Sequence, residues 1–278
     1  MKYSLLIVVS LVLFIVPAAR SQQQSPGSTS SAGSTVSSDA PAKPAAKLTP
    51  TQVTELRADV LMAEKEYADA IHTYDSIVRA NPKNAQVLDK MGVAYQQLLN
   101  LREAEKYYKK SAKADKTFAS PVNNIGTVEY EKKHYKNAIK YYKKALKIRP
   151  DMATVYTNLG YAYFERKDYP NAIGSFRQAL LIDPNIFENR GEGGAMVQQR
   201  MSTDPGLFYF YVAKSYAMAG DAAHAAHFLK LSRDDGYQKF ASAAKDPAFA
   251  KVIKDPRVQQ VLTVTPVYAT DQKKTVRD

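Results

Sequence analysis

Cysteine is absent from the chain, and so is tryptophan; histidine occurs only four times. Without cysteine there is no disulfide framework, no thiolate metal site and no lipidated cysteine, so the fold must rest on its core alone. No Asn-x-Ser/Thr sequon occurs, which gives no support to a glycosylated eukaryotic protein. His72 and His134 stand alone, and His224 and His227 lie three apart on one predicted helix with no third ligand at metal spacing. Zinc and other imidazole-held metals are therefore not expected. There is no Walker lysine loop, no His-Glu-x-x-His, no Gly-x-Ser-x-Gly elbow and no dinucleotide glycine fingerprint. Each of those patterns exists because its chemistry needs those groups at that spacing. Their joint absence points away from an enzyme and from any cofactor.

Long apolar runs are also scarce. The only one is at the N-terminus, where Lys2 precedes the 12-residue apolar stretch 5–16. That stretch is too short to span a bilayer, which takes about 20 apolar residues. With small residues at Ala19 and Ser21 it reads as a cleaved signal peptide over 1–21. The alternative is an uncleaved anchor. Residues 22–48 are almost wholly Ser, Gln, Ala, Pro, Gly and Thr, a composition that cannot offset its own ordering entropy. They are expected to be a disordered linker. The expected location is bacterial and exported, either periplasmic or extracellular.

What the chain does contain is a period of 34 residues. The unit from Ala153 has Tyr156, Leu159, Gly160, Tyr163, Ala172, Phe176 and Pro184. The unit from Ala119 places Val122, Ile125, Gly126, Ala138, Tyr142 and Pro150 at the same offsets. From Ala85 come Leu88, Met91, Gly92, Tyr95, Ala104 and Tyr108, with Lys116 in the proline slot. The first unit, from Thr51, keeps Leu61, Ala70, Tyr74 and Pro82 but has Ala58 where the others have glycine. Small residues at two offsets allow two antiparallel helices to approach closely, large ones fill the sides, and proline ends the second helix.

The pattern resembles the tetratricopeptide repeat family, over roughly residues 51–236. The resemblance implies an all-α, right-handed α-solenoid in which each helix pair buries its apolar stripe against the next. Four repeats are expected over 49–186, and a fifth over 206–236 with Tyr209, Val212, Ala213, Tyr216, Ala225 and Leu229 in register. Between them lies an inserted segment, 187–205, that carries Gly191, Gly193 and Gly194. Its Met196, Arg200 and Met201 are a candidate lip beside the groove; the simpler reading is a spacer. Asp246-Pro247 and Asp255-Pro256 pair an N-cap with a first-turn proline, so two short capping helices are expected over 237–264, before a polar tail at 265–278.

Net charge is +12, and between Arg102 and Arg149 there are 14 basic and 5 acidic residues. Lys106, Lys109, Lys110 and Lys113 fall on one predicted second helix. Lys136, Lys140, Lys143, Lys144 and Lys147 fall on the next. Second helices line the outside of such a solenoid, so these form a basic outer face. Either it is merely solvated or it attracts an anionic membrane surface, envelope polymer or acidic partner. Nucleic acid is disfavoured for an exported chain. First helices line the inner groove, where Asn123, Asn124, Thr127 and Tyr130, then Thr157, Asn158, Tyr161 and Phe164, are the candidate site for an extended peptide. The competing reading is that Tyr161 and Phe164 simply pack on a neighbouring helix. The Lys/Asn/Arg carboxylate clamp of chaperone-associated family members is not reproduced, since the matching sites hold Glu55, Asp59, Lys90, Ser120 and Asn124. The expected function is a non-catalytic scaffold that binds a protein or peptide in envelope assembly or secretion. The alternative is a binder of envelope polysaccharide or peptidoglycan.

Overall fold

The computed structural model describes residues 47–188 and 204–263, all within one compact unit that begins at Lys47. The expected signal peptide, most of the linker, the body of the insertion with Met196, Arg200 and Met201, and the polar tail lie outside the described residues.

Every regular element among the described residues is helical. Five antiparallel pairs follow one another: α1 (Pro50–Ala63) with α2 (Tyr67–Ala80), α3 (Ala85–Gln97) with α4 (Leu101–Ala114), and α5 (Ala119–Glu131) with α6 (Tyr135–Ile148). The last two pairs are α7 (Ala153–Glu165) with α8 (Tyr169–Ile182) and α9 (Pro205–Ala219) with α10 (Ala222–Asp234). Each pair also packs on the next, α2 on α3, α4 on α5, α6 on α7 and α8 on α9. The chain is an all-α solenoid.

The repeated glycine is explained by an aromatic ring. A Cβ at Gly92 would sit 2.5 Å from Tyr108, and one at Gly126 2.6 Å from Tyr142; at Gly160 it would press closer still on Phe176. Real side chains do not approach like this, so the bare backbone is what lets the two helices of a pair close. Between them the chain turns through one left-handed residue at the same offset in every repeat: Lys65, Leu99, Lys133, Lys167 and Gly220. Only the fifth repeat fills it with glycine, the residue that tolerates that conformation best.

Second helices end on extended residues before proline, at Asn81, Arg149 and Asp183. The second repeat lacks the proline and uses a side chain instead. Asp115 accepts hydrogen bonds from the Thr117 backbone N–H at 2.8 Å and from its hydroxyl at 2.7 Å. That turn ends α4 and leaves Lys116 exposed in the proline slot.

The C-terminal end is closed. Asp204 caps α9 through Leu207 N–H, and Asp246 caps a single 3-10 turn, Pro247–Phe249. Asp255 precedes α11 (Pro256–Thr263). A further 3-10 stretch, Phe240–Lys245, joins them, an element without a strong pattern in the sequence. Phe249, Val252, Val258 and Val261 are buried in the core that runs through the last repeats. Lys214 to Asp246 at 2.8 Å, and Lys251 Nζ donating to the Met218 carbonyl, tie this cap to α9. No described helix is long and apolar enough to cross a membrane.

Candidate functional site

Stacking brings the first helices α1, α3, α5, α7 and α9 side by side, and their facing side chains make a ladder. Its rungs join residues 35 apart, one period plus one residue, and Lys90 also reaches Asp59, 31 residues back. Lys90 Nζ donates to Glu55 Oε1 and to Asp59 Oδ2, both at 2.7 Å. Asn124 Nδ2 donates to Asp89 Oδ1 at 3.1 Å, and Asn158 Nδ2 donates to Asn123 Oδ1 at 3.1 Å. A link within α5, Asn123 Nδ2 to Asn124 Oδ1 at 3.1 Å, joins two rungs into one run from Asp89 to Asn158. Lower on the same helices Gln96 Nε2 donates to Glu131 Oε1 at 2.8 Å, and Gln96 Oε1 accepts from the Tyr108 hydroxyl at 2.7 Å.

The chemistry changes along this face. It is ionic between the first two repeats, carboxylate to amide between the next two, and amide to amide between the third and fourth. Beyond that it becomes aromatic. Tyr161 stacks on Phe208 at 4.9 Å, Phe164 meets Phe208 edge-on at 5.6 Å, and Tyr169 stacks on Tyr211 at 4.4 Å. Two groups within the ladder are held against their preferences. Burial pushes the Asp89 carboxyl up to about 7, although the hydrogen bond from Asn124 pulls the other way. Asn158 is fully buried, and its Oδ1 has no hydrogen-bond partner among the described residues.

Of the candidate groove residues, Asn123, Thr127, Tyr130, Thr157, Asn158, Tyr161 and Phe164 are all buried, and Asn124 is half-buried. The structure thus brings them together along one face, but as the seam between consecutive first helices and not as an open lining. Thr157 turns its hydroxyl to the Ala153 carbonyl of its own helix. Tyr161 and Phe164 pack on α9 in the way the competing sequence reading anticipated. Half-buried neighbours on the same helices are Asp89, Lys90, Ser120 and Thr154. Asp89 escaped notice in the sequence, because a lone acid between Leu88 and Lys90 gives no sign of the amide it will meet one repeat later.

On the outer face Lys106 pairs with Glu103 at 2.7 Å and Lys109 with Glu105, while Lys110 lies over the Tyr107 ring. Lys143 lies over Tyr163. Lys136, Lys140, Lys144 and Lys147 are exposed on α6. His224 is held between carboxylates, its Nδ1 2.6 Å from Asp221 and its Nε2 3.7 Å from Glu188, and it stacks on Tyr216. No group of His, Asp and Glu suited to a metal occurs among the described residues.

Family models described as "Tetratricopeptide repeat" match residues 85–118 and 153–186, and one described as "TPR repeat" matches 126–166. The first two coincide with whole periods counted from Ala85 and Ala153. Among solved structures, PilF of Pseudomonas aeruginosa is 18% identical with a TM-score of 0.50, over 76% of this chain and 88% of that one. MamA is 20% identical with a TM-score of 0.46, over 66% and 95%. YrrB, described as "a TPR protein with an unusual peptide-binding site", is 17% identical with a TM-score of 0.45, over 69% and 90%. At these identities the likeness is one of fold. A search of curated proteins finds no match.

Proposed function

Because the chain is a tetratricopeptide repeat protein, we propose that it is an exported, non-catalytic scaffold that holds a protein or peptide segment along the face of its first helices, in envelope assembly or secretion. The export part rests on the N-terminal pattern of Lys2, a short apolar run and Ala19 with Ser21. The binding part rests on the polar residues that stay half-buried along this face, Asp89, Lys90, Ser120, Asn124 and Thr154. The gradient along the seam suits a segment that is basic or polar at the α1 end and apolar at the α9 end, since carboxylates dominate the first rungs and rings the last.

Site-specific photocrosslinking separates the faces. A photoreactive residue at Asn124 or Thr154 should capture a discrete partner from envelope fractions, while one at Arg79 on α2 should not. Capture from Arg79 alone would reject the inner face. For export, the N-terminus of the chain purified from its native host is expected at Gln22; retention of Met1 on cytosolic protein would overturn that part.

A further inference from the structure

The junction between the second and third repeats carries an open slot on its outer side. It lies between α4 and α6 over a floor from α5, with a volume of about 210 Å³, and is lined by Ala112, Tyr141 and Ile148 with Lys113, Lys116 and Lys144 at its edge. No acidic side chain lines it. Lys113, Lys116 and Lys144 are exposed and form no ion pair among the described residues, unlike Lys109 beside them, which Glu105 holds.

Three departures from the repeat make this slot. Ala112 stands where the next two repeats have Leu146 and Leu180, so the side chain that would fill the gap is missing. Lys116 stands where Pro82, Pro150 and Pro184 end the other second helices, and the Asp115 turn takes over the work of the proline. Val122 replaces the larger Tyr156 of the following unit on the floor. Each change either widens the slot or adds a positive charge.

We infer that this slot is a second binding site, distinct from the inner face, for an acidic protein segment that inserts one large apolar side chain between α4 and α6. The hole takes one leucine or phenylalanine, whose burial supplies affinity. Carboxylates on either side of that anchor meet Lys113 and Lys116 on one bank and Lys144 on the other. The lysine stems line the walls while their ammonium groups stay in water. A flat anionic lipid surface would meet charges on one plane and has no use for a slot, and so fits these observations less well. Because the site uses second helices, it stands or falls independently of the proposed inner-face function.

The test uses the folded chain and fluorescence anisotropy with two labelled peptides, glutamates around a single central phenylalanine and the same peptide with alanine there. The phenylalanine peptide should bind at least about tenfold tighter. Ala112→Leu, which installs the residue of the following repeats and leaves every charge in place, should abolish that preference. Lys116→Glu with Lys144→Glu, both exposed, should weaken binding of either peptide about tenfold or more, with circular dichroism unchanged. Asn124→Ala on the inner face should change nothing. Equal affinity for the two peptides would overturn the site, and so would a preference that survives Ala112→Leu. So would retention on phosphatidylglycerol vesicles, indifferent to Ala112→Leu, by a chain that binds neither peptide.

Discussion

A methyl group is enough to test the closest glycine–ring approach among the described residues. At Gly160 the added Cβ would overlap the Phe176 ring, and both residues are fully enclosed, so the pair of helices must open or the ring must leave its rotamer. Gly160→Ala is expected to cost about 1–3 kcal/mol, read from urea unfolding. Ala213 occupies the same offset in the fifth repeat without difficulty, because Leu229 stands there in place of the ring. Asp89 gives a second test at this scale, on pH. Its carboxyl is raised in the folded state, so folding binds a proton there; the contribution is full below the unfolded value and is lost as pH rises from about 4 to about 7. Asp89→Asn keeps the acceptor for Asn124 and removes the titration. Its stability relative to the parent should therefore rise across that window, by up to a few kcal/mol. A constant difference between pH 4 and pH 8 would show that Asp89 ionises normally.

Among elements, the segment that follows α8 is the one the structure redraws. The period places an insertion at 187–205, yet its first residues belong to the core. Ile186 is buried, and the Phe187 ring meets Phe176 at 5.3 Å, Tyr216 at 6.1 Å and Phe228 at 6.2 Å. It plugs the joint between the fourth and fifth repeats. Phe187→Ala should destabilise α9, α10 and the cap by about 1–3 kcal/mol, less than a fully enclosed ring would, while α3 to α6 keep their protection in hydrogen exchange. A deletion meant to test the insertion alone has to begin after Glu188. The period, the Gly-ring pairs and the Asp-Pro helix starts were legible in the sequence because each lies within one repeat or one turn. The rungs were not, since Asp89 and Asn124, or Asn123 and Asn158, occupy different offsets in their repeats and meet only through the angle of stacking. The burial of Tyr161 and Phe164 was legible only as one of two readings, because it depends on Phe208 beyond the insertion.

Among the described residues, the solenoid is sealed at its C-terminal end and leaves an apolar stripe on its first helix. At the C-terminus Phe249, Val252 and Val258 are enclosed. At the N-terminus Val53, Leu56 and Val60 form an exposed stripe on α1, whose one buried residue is Ala58. A repeat with a neighbour on one side only has half the interface energy of the others. Hydrogen exchange should therefore open α1 and α2 first and α5 to α10 last; equal protection throughout would mean the array melts as a single unit.

The ladder also fixes the order of the repeats. Each joint has its own lock: Glu55 accepts only a donor such as Lys90, Asp89 takes an amide, and Asn123 takes another amide. Beyond it, Tyr161 requires a ring. A copy of the third repeat placed after itself would meet amide with amide and join smoothly. The second repeat moved behind the fourth would bring Lys90 against Thr157, with no carboxylate to receive it. The modules share one shape, yet they cannot be shuffled, and anyone who lengthens this array must splice it where amides face each other.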